Sequence, residues 1–231
     1  MPVSPVNAKT DLITFAISVG GSPIDDSYEV LSISTSKFIN RQPYANITFL
    51  DGSAAESDFK VSNKADFLPG AEIEIKAGYH SVDKTIFKGI ITKHAVTASE
   101  GVSELRLECR DKAIKMVSGR KNAYYIDKKD SDIISTLIGT SGASAEVEAT
   151  SYQHKSMIQF NATDWDFMLT RADANGQVVL VSDGKISVKK PDTSAAPPLV
   201  VSYGSTLLEF SAELDSESQL KAVKGYAWDS A

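Results

Sequence analysis

Two stretches decide how this chain folds: Glu72-Ile73-Glu74-Ile75-Lys76-Ala77 and Ser103-Glu104-Leu105-Arg106-Leu107-Glu108-Cys109. In both, apolar and charged residues alternate with period two, the repeat of a β-strand whose successive side chains point to opposite faces. One face is therefore buried, and the other meets water or a partner. Four more stretches rich in Ile, Val, Thr and aromatic residues lie around them, at residues 12–17, 28–34, 45–50 and 85–97. With 72–79 and 103–109 they make six predicted strands. Gly20-Gly21, Asp51-Gly52, Pro69-Gly70 and Glu100-Gly101 separate them, supplying glycine where a turn needs positive φ. No segment between the strands is long enough for a crossover helix, so the pattern predicts an antiparallel barrel or sandwich, not a parallel α/β sheet.

Beyond residue 111 the pattern changes. Asp130 or Ser131 is placed to cap a short helix over Ile133, Ile134, Leu137 and Ile138, with Gly139 as its stop. Thr163 caps a second helix whose positive end suits Asp164 and Asp166, and Trp165, Met168, Leu169 and Ala172 fall on one stripe. Asn175-Gly176 ends it. Residues 177–181 and 185–189, joined by Asp183-Gly184, read as a β-hairpin. This middle region is a small α+β module. Residues 191–198 hold three prolines among small and polar residues, the composition of a stiff, solvated connector. Residues 199–203, 207–214 and 220–228 then read as strands, with Leu208, Phe210, Ala212 and Leu214 alternating. Three strands leave edges and one face uncovered, so this last part reads as the beginning of a domain.

The 231 residues are 42% hydrophobic and 23% charged, enough for more than one core. A net charge of −6 argues against a phosphate-binding surface and against nucleic acid as a partner. Cys109 is the only cysteine, which excludes an internal disulfide and a thiolate metal cage; it reads as core filling. Residues 1–11 contain two prolines and no basic stretch followed by a long apolar run, so neither a signal peptide nor a membrane helix is expected and the protein is expected to start in the cytoplasm.

Catalytic signatures are missing. The sequence has no P-loop, no dinucleotide-binding glycine fingerprint and no Gly-x-Ser-x-Gly elbow. His80, His94 and His154 lie far apart and in no metal-binding spacing, which makes them surface or hydrogen-bonded structural residues. Asp25-Asp26 and the pair Asp164 and Asp166 could in principle serve glycoside hydrolysis, but a turn and a helix start account for them. The basic residues between Lys112 and Arg120, and Lys128-Lys129, read as solvated faces. Tyr124-Tyr125 is the one adjacent aromatic pair; on a strand the two rings point to opposite faces, one to the core and one to the surface, and make no sugar-binding platform together. No catalytic residue, cofactor or metal is expected.

The stretch Gln159-Phe160-Asn161-Ala162-Thr163-Asp164-Trp165-Asp166-Phe167-Met168-Leu169, running through Arg171 to Ala174-Asn175-Gly176, resembles a recurring segment of VgrG and phage tail-hub proteins, including the late control protein D type. There a Gln-aromatic segment leads into a capped helix, then Asn-Gly and a hairpin. The tail, with Tyr203-Gly204, Phe210, Gln219-Leu220 and Trp228-Asp229, resembles the start of that family's second tube domain.

The resemblance implies an N-terminal arm at 1–11, a first antiparallel β-barrel tube domain at 12–120, an α+β domain with its connector at 121–196, and the beginning of a second tube domain at 197–231. It further implies a homotrimer whose barrels form a pseudo-sixfold ring, barrel strands making the contacts between subunits. One ring face would receive a hexameric inner tube protein, and the other would support spike tip and baseplate proteins, with effectors as a further class of partner. Contraction would deliver such a protein outside the cell or into a target without membrane insertion by this part. Two other classes stand beside this one. A carbohydrate or cell-wall binding module predicts glycan affinity and an exposed aromatic platform, and a hydrolase using Asp164 or Asp166 predicts an activity lost on Asp164→Asn.

Overall fold

The computed structural model describes residues 12–52, 58–79, 82–99, 102–192, 194, 196–197, 199–214, 216 and 221–226. The chain divides into two units, Asp11–Thr193 and a second made of Met1–Thr10 with Ser194–Ala231. The first is mainly β.

All six predicted strands of the opening region form, as β1 (Ile13–Val19), β3 (Val30–Ser36), β4 (Tyr44–Leu50), β5 (Glu72–Tyr79), β6 (Val82–Ser99) and β7 (Val102–Arg110), with a two-residue β2 (Ser22–Pro23) added after the first. They make one seven-stranded sheet in the order β2-β1-β5-β6-β7-β4-β3, with every pairing antiparallel. The sheet curls on itself, since Ile17 of β1 and Val30 and Ile33 of β3 belong to one apolar cluster although their strands lie at opposite sides of the sheet. Register shifts between Ile75 and Lys76 and between Ile91 and Lys93 accompany that curvature, because a bulge bends its strand and increases twist.

At the centre sit Phe49, Phe67 and Phe87, with Phe67 tilted against Phe49 at 5.2 Å between ring centroids. Phe67 comes from a 3-10 turn, Ala65–Phe67, that plugs the open side of the sheet. Gly89 is where β6 runs tightest against β7: a Cβ there would lie 2.2 Å from the Arg110 carbonyl oxygen and 2.9 Å from the Phe87 ring.

The middle region contains β8 (Lys121–Lys129), α1 (Asp130–Ser141), β9 (Ser144–Val147), β10 (Gln153–Ala162), α2 (Asp164–Ala174), β11 (Val178–Ser182) and β12 (Lys185–Lys189). The expected hairpin is β11–β12, turned by Asp183 (φ 56°) and Gly184 (φ 82°), the left-handed pair that matches strand twist. β9 adds to β12 in parallel, and among the described residues β8 and β10 form a separate two-stranded ribbon. Both helices pack in one core with the hairpin, around Ile134, Ile138, Trp165, Met168, Val179 and Ile186.

The first helix departs from expectation at both ends. Its cap is Lys129, whose N–H is accepted by Asp132 at 3.3 Å, and Asp130 lies within the first turn. Its stop is Gly142 (φ 78°), not Gly139, because an α-helix continues through a glycine whose backbone stays helical and ends where one turns left-handed. The second helix follows the prediction: Thr163 Oγ1 accepts the Asp166 N–H at 3.0 Å, and the chain leaves at Asn175-Gly176.

Three links join the curled sheet to the module. Asn40, itself left-handed (φ 59°), donates its N–H to the Val179 carbonyl and accepts the Val179 N–H on Oδ1, both at 2.8 Å, so one residue imitates a strand along β11. Lys37 Nζ reaches Asp183 at 3.2 Å, and the Asp111 carboxylate accepts the Gly184 N–H at 2.9 Å.

In the second unit the predicted strands do not form among the described residues. Residues 199–214 show only isolated bridge positions, Leu199 and the pair Tyr203 with Leu207, beside a turn in which the Ser202 carbonyl accepts N–H groups from Ser205 to Leu207. A strand needs a continuous ladder, and among the described residues this stretch has only isolated bridge positions. Residues 221–226 of the third predicted strand are likewise without strand structure, and the rest of it lies outside the described residues.

Candidate assembly surface

Three of the carboxylates picked out in the sequence, Asp25, Asp164 and Asp166, are occupied with holding a turn and a helix start. Asp164 is 4% exposed; Lys121 Nζ lies 2.6 Å from its Oδ2 and Gln159 Nε2 donates to its Oδ1 at 3.0 Å, so one carboxylate pins β8 and β10 to the start of α2. Asp166 closes the cap with Thr163, whose hydroxyl hydrogen-bonds its carboxylate at 2.7 Å. Asp25 accepts the Ser27 N–H at 2.9 Å, and that backbone bond, with the Ser27 hydroxyl, holds its carboxyl below the usual range. These are the contacts of a turn and a helix start, and they engage Asp25, Asp164 and Asp166.

The His94 ring nitrogen Nδ1 lies 3.1 Å from the Phe67 carbonyl, and His80 is outside the described residues. Cys109 is wholly buried in the curled sheet, and burial pushes its thiol up to about 12. No group of three or more His, Cys, Asp or Glu side chains among the described residues is placed to hold a metal ion.

Two polar clusters were not picked out in the sequence: one joins residues far apart in the chain, and the other is built on Asp51, read there only as part of a turn. Asp130, buried at the head of α1, accepts Asn175 Nδ2 at 2.8 Å and has His154 Nε2 at 3.1 Å and Arg171 Nη1 at 3.7 Å, joining α1, β10 and the end of α2. Asp51, also buried, would be pushed up by desolvation. The Ser62 hydroxyl and the N–H groups of Val61, Ser62 and Gly52 outweigh that and hold it below the ordinary carboxylate range. Asp51 lines an open groove of about 780 Å³ together with Asp25, Tyr28, Asp58 and Lys64. With its carboxylate fully committed, Asp51 closes a loop and has no lone pair to spare for chemistry.

What the described surface does offer is an uncovered apolar face. Tyr125 turns inward, stacks on Phe167 at 6.0 Å and hydrogen-bonds Gln159; burial and then the charge of Asp164 push its phenol up. Tyr124 turns outward and is 75% exposed, as the alternation requires. The sequence did not show its neighbours. The ladder sets Tyr124 opposite Ile158 and Ile126 opposite Ser156, so Tyr124, Ile126, Ile158 and Phe160 share one outer face, with Phe160 79% exposed. The inner face of the same ribbon, from Tyr125, Met157 and Gln159, packs on the module. Side chains buried on one face and apolar on the other mark a contact surface.

Solved phage tail proteins share this fold. The 43 kDa tail protein of prophage MuSo2 from Shewanella oneidensis matches with a TM-score of 0.61 at 11% identity, over 80% of this chain and 55% of that one. A tail protein from Neisseria meningitidis MC58 matches at 0.57 and 19% identity, over 80% and 52%. The E. coli c3393 protein, described as a component of the type VI secretion system with structural similarity to the T4 tail proteins gp27 and gp5, matches at 0.59 and 13% identity, over 78% and 50%. The chain thus spans about half the length of the solved structures it matches. In sequence, the family model of the Alg8 N-terminal domain matches residues 9–231, and the chain belongs to that family. No curated protein matches it. No helix among the described residues is long and apolar enough to cross a membrane.

Proposed function

We propose that this chain is the N-terminal hub part of the spike or baseplate of a contractile injection system, a structural piece and not an enzyme. The observation that carries the reading is the shared fold with two phage tail proteins and a type VI secretion component, in the order curled sheet, then α+β module. In this reading residues 12–120 are a first tube domain, 121–196 an α+β domain with its connector, and 197–231 the start of a second tube domain. Three copies form a pseudo-sixfold ring that receives a hexameric inner tube on one face and carries the spike tip on the other, as the VgrG-like motif at residues 156–176 implies. Its work is done by assembly, so the buried carboxylates serve structure and no cofactor is called for.

Light scattering coupled to size exclusion, alone and with a hexameric tube protein, tests this. A trimer that captures the tube supports the hub reading, and a monomer indifferent to the tube overturns it. One observation favours a second reading as a carbohydrate or cell-wall binding module: Tyr124 and Phe160 are both exposed on one face. That reading requires glycan affinity in the isolated monomer, lost on Tyr124→Ala.

A further inference from the structure

We draw no further inference here: the strongest candidate, the exposed apolar strip of Tyr124, Ile126, Ile158 and Phe160 on the outer face of the β8–β10 ribbon, carries nothing because nothing in the structure shows what covers it.

Discussion

β7 and residues 207–214 carry nearly the same pattern and meet opposite fates. In β7, Leu105, Leu107 and Cys109 alternate with charged residues and are completely buried; in the later segment, Leu208, Phe210 and Leu214 alternate with acids and are 100%, 75% and 93% exposed. The difference is that β7 lies between β6 and β4, which cover both of its edges, while Phe67 and its neighbours close the face. Alternation specifies which side of a strand is apolar. It does not supply the strand beside it or the layer above it.

Truncation is the strongest way to break this comparison. Phe67→Ala is expected to cost about 3–5 kcal/mol, because it removes a fully buried ring and leaves a cavity at the centre of the sheet. Phe210→Ala is expected to stay within about 0.5 kcal/mol, as for other exposed positions. Urea unfolding midpoints of the two variants measure the contrast, and equal shifts would mean that residue 210 has a buried partner in solution.

The polar pins come next. Asp164→Ala takes from the Lys121 ammonium its carboxylate and from the buried Gln159 amide one of its two acceptors, an expected loss of about 1–3 kcal/mol that a thermal melt would show. Asp164→Asn is smaller in effect because it keeps an oxygen for Gln159. Gly142→Ala follows, at about 1 kcal/mol, since it places a side chain in the left-handed stop of α1, whereas Gly139→Ala lies within the helix and is expected to be neutral or stabilising. Comparing these two variants checks the helix boundary directly.

The smallest effects are in pH dependence. The folded pKa of Asp51 is lowered, so its contribution to stability is present above the unfolded carboxylate value of about 3.9 and disappears as pH falls through the lower folded value. Asp51→Asn should flatten the acid limb of a stability profile below that point. Cys109 moves the other way: its stabilising contribution is complete below the unfolded thiol value of about 8.5 and is lost as pH rises towards about 12. Alkylation of Cys109 at mildly alkaline pH should therefore track unfolding, and rapid labelling of the folded chain would contradict its burial.

Of the strands of the first region, β5 and β7 were legible from alternation beside a glycine turn, and the other four from their Ile, Val, Thr and aromatic content. The hairpin was legible from its Asp183-Gly184 turn and the second helix from its Thr163 cap. The end of α1 was misplaced because Gly139 and Gly142 are indistinguishable as letters, and only backbone conformation tells a helical glycine from a left-handed one. Alternation divides Tyr124 and Tyr125 between core and surface without saying which is which, and the structure puts Tyr124 outside. The strip that it forms with Ile158 and Phe160 depends on the register between β8 and β10, which separates these residues by more than thirty positions in sequence. The cluster around Asp130 was hidden for the same reason: His154, Arg171 and Asn175 approach it only after two helices and a strand have packed.

The links between the curled sheet and the hairpin have a mechanical consequence. Asn40 grips Val179, Asp111 grips Gly184 and Lys37 reaches Asp183, all within one short hairpin. A pull that separates sheet from hairpin loads these bonds together and cannot open them one after another like a zipper. Their strengths therefore add against a sudden tug, and the two pieces should travel as one body under load.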